Sequence, residues 1–132
     1  MPAKKRVLIV DDEPGFTRLL KLNFHHTGRY AAEVVNDASA AVEVAQRFVP
    51  DIILLDVMMP GMDGGEVANR IHALPTLQNT PILFLTAAIK KQELAANKGL
   101  CGGIPFMCKP VEFQDVVEHI EKQCGGRMAA GS

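Results

Sequence analysis

The stretch Asp51-Ile52-Ile53-Leu54-Leu55-Asp56 constrains the fold more than any other part of the chain. Four apolar residues in a row, without alternation, describe a strand covered on both faces, the situation of a strand inside a parallel sheet. The run ends on a carboxylate, and Pro60, Gly61 and Gly64 then impose a loop. Asp56 is therefore expected at the C-terminal end of a central strand. Its side chain should stand in the crevice above the sheet, where open α/β folds place their chemistry. The competing reading is an acid that ends the strand and stays solvated.

The remaining chain supplies the rest of such a sheet. Residues 6–10 read as a first strand, followed by Asp11-Asp12-Glu13 and then Pro14, a helix start. Phe16, Leu19, Leu20 and Phe24 recur at helical spacing as the buried face of a first helix, which should stop near Thr27-Gly28. A weaker strand spans 31–35. Asp37 is placed to cap a second helix, with Ala38, Ala41, Val42, Ala45 and Phe48 facing inward. A third helix spans 64–74, with Val67, Ile71 and Leu74 as its apolar stripe and a Glu66–Arg70 pair at i,i+4. Residues 82–85 form a fourth strand ending on Thr86. Residues 90–98 make a poor fourth helix, and 104–108 a fifth strand ending on Lys109-Pro110. Phe113, Val116, Val117 and Ile120 mark an amphipathic fifth helix. Five alternations with short connections predict an α/β fold, a doubly wound parallel sheet with helices on both faces.

At 132 residues the chain has the length of one domain. Residues 1–124 are read as that domain and 125–132, rich in Gly and Ala, as a flexible tail. A net charge of −1 gives no reason to expect direct nucleic-acid or membrane binding. Cys101, Cys108 and Cys124 show neither C-x-x-C spacing nor a His partner pattern, which fits reduced thiols in a cytoplasmic protein. The apolar run after Lys4-Lys5-Arg6 is too short for a signal peptide and is ended at once by Asp11-Asp12-Glu13.

In a parallel sheet all C-terminal strand ends open on one rim. Asp11 and Asp12 follow the first strand, Asp56 the third, Thr86 the fourth and Lys109 the fifth. Two carboxylates about 4 Å apart repel by roughly 4 kcal/mol at an effective dielectric near 20. Three therefore stay together only if a cation joins them or protons are taken up. An all-oxygen site suits a hard ion, Mg²⁺ or Mn²⁺. Such an ion beside a nucleophilic carboxylate, with a lysine opposite, is a layout for phosphoryl transfer.

These residues reach a known family. Asp11-Asp12, Asp56 within LLDVMMPGMDG, Thr86-Ala87 and Lys109-Pro110 resemble the receiver domain of two-component response regulators (CheY-like), over about residues 5–124. The resemblance implies a flavodoxin-like sheet of five strands in the order 2-1-3-4-5. It implies that Asp56 accepts a phosphoryl group from a sensor histidine kinase or a histidine phosphotransfer protein. Asp11 and Asp12 would hold Mg²⁺ (or Mn²⁺) together with Asp56 and the backbone carbonyl of Met58. Lys109 would pair with the phosphoryl group, ahead of a cis peptide to Pro110. Thr86 would be drawn to a phosphoryl oxygen, with Phe106 turning inward behind it, so that a downstream effector reads an altered face. The chemistry would be self-phosphorylation and self-dephosphorylation rather than enzymatic turnover, in the cytoplasm. Two features depart from the family pattern. Phe106 stands where a Tyr is frequent, and Ile104-Pro105 replaces the usual polar residues before it.

Two other functions compete. An aspartyl-type phosphatase also uses a strand-end Asp and Mg²⁺, but it commonly needs a second acid two residues on, and Met58 occupies that position. A non-phosphorylated interaction module on the same fold would not need the complete set of site residues. Gly99, Gly102 and Gly103 form no nucleotide fingerprint. His25, His26, His72 and His119 read as surface helix residues, and Met58, Met59 and Met62 as loop packing.

Overall fold

The computed structural model describes residues 4–59, 62–86, 100–101, 104–109 and 111–125. The order is β1 (Lys5–Val10), α1 (Pro14–Thr27), β2 (Tyr30–Val35), α2 (Ala38–Phe48) and β3 (Ile52–Asp56). A small hairpin follows, β4 (Met58–Met59) and β5 (Met62–Asp63), then α3 (Gly64–His72) and β6 (Ile82–Thr86). The described residues end with β7 (Leu100–Cys101), β8 (Ile104–Cys108), α4 (Phe113–Ile120) and a π-helical turn, Glu121–Gly125. The main sheet runs β2-β1-β3-β6-β8, all parallel, which is the order 2-1-3-4-5 of its five long strands. The two-residue β7 adds an antiparallel edge beside β8.

Strand β3 lies at the centre because it is apolar on both faces. Ile52, Ile53, Leu54 and Leu55 are all fully buried, each stabilising the fold by roughly 2 kcal/mol. Successive residues serve opposite layers. Leu8, Val10, Ile53 and Leu55 pack with Ala41 and Ala45 of α2 and with Val67 and Ile71 of α3. Val7, Ile9, Ile52 and Leu54 pack with Leu20 and Phe24 of α1 and with Val116, Val117 and Ile120 of α4. Helices thus cover both faces, as the period-free strand patterns require.

Helix ends follow local chemistry. Pro14 opens α1, and Gly28 closes it at φ 75°. Asp37 caps α2, accepting a hydrogen bond from the Ser39 N–H at 3.0 Å. The Glu66–Arg70 pair forms at 2.8 Å.

Several expectations need correction. Leu19 is 60% exposed, as is Leu22, and Thr17 shares the buried face with Leu20 and Phe24 instead. Thr17 tolerates burial because its hydroxyl donates to the Pro14 carbonyl and accepts from Asn36. Helix α3 ends at His72, with Leu74 in the following turn partly buried against the α2–α3 layer. The segment after Asp56, expected as plain loop, pairs Met58 with Asp63 in the β4–β5 hairpin. His119 is half-buried, with its Nε2 lacking a hydrogen-bond partner among the described residues. Burial lowers its pKa, and the nearby Lys122 charge adds to this. His25 is exposed, yet its Nε2 accepts the Ala32 N–H at 3.1 Å. Gly125, expected in the tail, closes the π-helical turn. The fourth helix expected at 90–98, the glycines at 99, 102 and 103, and the tail beyond 125 lie outside the described residues.

One polar contact ties the end of α4 to the sheet. The buried Tyr30 hydroxyl donates to Glu121 Oε2 at 2.6 Å, and Lys5 Nζ sits 3.1 Å from the same oxygen. The Glu121 carboxyl is held below its ordinary value, first by the Tyr30 hydroxyl and then, against some burial, by Lys5 and Arg29. A depressed carboxyl adds stability above its unfolded pKa of 4.5 and loses it as pH falls through the lower folded value. Tyr30→Phe is expected to cost about 1 kcal/mol at pH 7, a neutral-range value because Glu121 is partly solvated. The difference from wild type should shrink toward about pH 4. Urea unfolding at the two pH values measures it; a pH-independent difference would rule out the ionised contact.

Candidate functional site

The β1–α1 turn is fixed before any ligand arrives. The Asp11 N–H donates to the Val35 carbonyl at 3.0 Å, carrying the sheet pairing one residue past β1. The Asn36 amide donates to the Asp11 carbonyl at 2.8 Å and to the Thr17 hydroxyl at 3.0 Å. Asp11 Oδ1 accepts the Glu13 N–H at 2.9 Å, an Asx-type turn that leads into Pro14. These bonds point the Asp11 side chain inward, where it is fully buried.

The other strand ends are held the same way. The Val57 N–H donates to the Leu85 carbonyl at 3.1 Å, directly after Asp56, and the Lys109 N–H donates to the Thr86 carbonyl at 2.8 Å. Asp56 and Thr86 are buried, at 3% and 1% exposure. Asp11, Asp12, Glu13 and Asp56 each offer a carboxylate oxygen, and these atoms all lie within 4.8 Å of one another. The Lys109 ammonium stands among them, with Nζ 2.5 Å from Asp11 Oδ2, 2.8 Å from Glu13 Oε1 and 3.5 Å from Asp56 Oδ2. It also lies 4.7 Å from the centre of the Phe16 ring.

The charges do not balance. Four carboxylates face one ammonium, a formal excess of three negative charges. Burial pushes the Asp11 carboxyl up; Lys109 and the Glu13 N–H oppose this, and the Asp56 charge adds to it. Burial works against the Lys109 ammonium, but its hydrogen bonds to Asp11 and Glu13 and the charges of Asp11 and Asp56 outweigh it, so its pKa rises. Lys109 therefore stays a cation throughout the neutral range. At 4.8 Å a carboxylate pair repels by about 3–4 kcal/mol at an effective dielectric near 20. A divalent ion would relieve this, and the donor set, oxygen throughout, matches a hard cation.

Of the sequence-expected residues, the structure brings Asp11, Asp12, Asp56 and Lys109 into one cluster, and Thr86 ends the neighbouring strand. The Met58 backbone lies in the β4–β5 hairpin, two residues beyond Asp56. Phe106 is buried against the α2–α3 layer, in register with Phe84. The Lys109–Pro110 peptide lies outside the described residues. Sequence reasoning missed Glu13, Phe16 and Asn36. Glu13 was legible as a third acid in series, and Asn36 only as a residue before a helix cap.

The cluster lies at the rim formed by the C-terminal ends of the parallel strands. Two clefts of about 390 and 420 Å³ lie elsewhere. The first is at the opposite end of the sheet, around Lys5, Asp51 and Thr80, and the second lies beside α4, around Phe106, Glu112 and His119. Among the described residues, no helix is long and apolar enough to cross a membrane.

Comparison with known proteins agrees with this geometry. Residues 7–121 match the response regulator receiver domain model. The transcriptional regulatory protein TrcR of Mycobacterium tuberculosis is 35% identical over 116 residues, covering 87% of this chain and 43% of TrcR. The response regulator PleD of Caulobacter vibrioides is 38% identical over 110 residues, 81% of this chain and 23% of PleD. The chain thus spans less than half the length of these relatives. The solved receiver domain of a signal transduction histidine kinase from Syntrophus aciditrophicus superposes with a TM-score of 0.75 at 30% identity, covering 92% of this chain and 91% of that one. Acidic strand ends, an ion-paired strand-end lysine, the 2-1-3-4-5 sheet and a family match across nearly the whole chain agree: the chain belongs to the response regulator receiver family, the phosphate-accepting module of two-component signalling.

Proposed function

We propose that Asp56 is the phosphoacceptor and that the donor is the phosphohistidine of a sensor histidine kinase or a histidine phosphotransfer protein. The observation that carries the assignment is the contact set of Asp56. It is a buried carboxylate at the end of the central strand, 3.5 Å from the Lys109 ammonium and within the acidic cluster. An Asp56 oxygen attacks phosphorus in line, an O–P bond forms, and the P–N bond breaks with its electron pair left on the imidazole, which takes up a proton. Lys109 neutralises one phosphoryl oxygen, and the Thr86 hydroxyl donates to another. Asp11, Asp12, Asp56 and the Met58 carbonyl are the groups that would hold Mg²⁺ (or Mn²⁺). When bound, that ion supplies charge neutralisation at the phosphoryl oxygens.

On this reading the chain acts on itself and turns over no separate substrate, and it works in the cytoplasm. The added charge, roughly −1.5 to −2 by analogy with phosphorylated hydroxyls, biases Thr86 and Phe106 and so alters the face a downstream effector reads. The expected result with acetyl phosphate and Mg²⁺ is a single phosphoryl adduct by intact-mass analysis. It should be absent from Asp56→Asn and from samples treated with chelator. An adduct that survives Asp56→Asn would overturn the assignment.

A further inference from the structure

We propose that Glu13 is a positioning residue of the receiver reaction, acting through Lys109. The inference rests on the reading of the acidic cluster as a divalent-ion site. An ammonium has three hydrogens, and Lys109 Nζ has three carboxylate neighbours: Asp11 at 2.5 Å, Glu13 at 2.8 Å and Asp56 at 3.5 Å. Two of these carboxylates are also the ones an incoming ion needs. Lys109 therefore competes with the ion for Asp11 and Asp56, and it must give up Asp11 Oδ2 for the ion to enter.

Glu13 decides where the ammonium goes. Its side chain is 61% exposed, so it sits at the mouth of the cluster while Asp11 forms the floor. Its backbone N–H is fixed on Asp11 Oδ1 at 2.9 Å, which sets the direction of its side chain. Phe16, three residues on in the first turn of α1, offers its ring to the same ammonium at 4.7 Å. Glu13 and Phe16 together form a resting place at the rim. With it, Lys109 leaves the floor to the ion without going into bulk water, and stays poised over Asp56 for the arriving phosphoryl group. Without it, Lys109 falls back on Asp11 and Asp56 and raises the effective cost of ion entry.

The test is calorimetric titration of the full chain with Mg²⁺, in wild type and variants. Glu13→Gln is expected to weaken Mg²⁺ binding about fivefold, the upper range for a partly exposed pair. Glu13→Asp keeps the charge but is one methylene short of Lys109, and it should weaken binding to a similar extent. In a Lys109→Met background, Glu13→Gln should change Mg²⁺ affinity by less than about twofold, because nothing is left to hold. Equal weakening in both backgrounds, or full retention of affinity in Glu13→Asp, would mean that Glu13 acts by its charge on the ion, and the positioning role falls. No weakening in any variant also overturns it. Should wild type itself bind no Mg²⁺, the ion-site reading fails first, a result distinct from these.

Discussion

Lys109→Met is expected to cost the metal-free fold about 3 kcal/mol, and Mg²⁺ is expected to return most of it. The loss arises because Asp11 is fully buried and Asp56 nearly so, and Lys109 is the cation among them. Removing one member of a buried ion pair leaves an uncompensated charge, which costs about 3–5 kcal/mol. The lower end applies here because Asp12 and Glu13 are solvated and the Met side chain can keep the apolar contact with Phe16. Against a typical domain stability of about 5–15 kcal/mol, that is a large fraction. A ligand at a hundred times its dissociation constant stabilises by about 2.7 kcal/mol. In the variant the ion also meets no competing ammonium, so the Mg²⁺-induced rise in unfolding free energy should exceed that of wild type. Urea unfolding with and without Mg²⁺ in both proteins provides the four numbers. An equal Mg²⁺ increment in the two would show that Lys109 and the ion do not share carboxylates.

What the sequence disclosed follows from which interactions are local. The unbroken run Ile52–Leu55, short and followed by turn residues, reads as a strand covered on both sides, so the centre of the sheet and the place of Asp56 were legible in it. Pro14, Gly28 and Asp37 act within three or four residues of themselves, and the helix ends they mark are where the structure puts them. The phase of α1 was misjudged because Leu19 and Leu20 both fit a helical count of apolar residues. The choice depends on Asn36, across the β2–α2 connection, making a buried Thr17 tolerable. The role of Glu13 was hidden for the same reason: its partner is 96 residues away. The β4–β5 hairpin is two residues per strand, too short to carry any period. Strand-end convergence could be inferred because parallel topology guarantees it; which carboxylate touches which nitrogen could not.

Gly64→Ala is expected to destabilise the fold by about 2–3 kcal/mol and to impair phosphorylation with it. Gly64 opens α3 directly against the chain leaving Asp56, and its N–H donates to the Val57 carbonyl at 3.3 Å. A Cβ added there would lie 2.5 Å from Val57 Cα, 3.0 Å from the Asp56 carbonyl oxygen and 3.3 Å from the Val57 carbonyl carbon. All three are backbone atoms, so no rotamer change can relieve the overlap. Either α3 moves outward or the chain after Asp56 does. The first opens a gap beside Val67 and Ile71, both fully buried; the second shifts the acceptor itself. Overpacking of this kind costs about 1–3 kcal/mol, and more when backbone must give way. The intrinsic preference of a helix for Ala over Gly returns at most about 1 kcal/mol, and less in a first turn. Gly15 in α1 is the control, because a Cβ there meets nothing within 4 Å. Gly15→Ala should therefore stabilise slightly, by less than about 0.5 kcal/mol, because Gly15 too lies in a first turn. Chemical denaturation of both variants, with the phosphoryl adduct of Gly64→Ala scored by mass, separates space from conformation. If Gly64→Ala matches wild type on both counts, the close approach of α3 to Val57 is not what holds Asp56 in place.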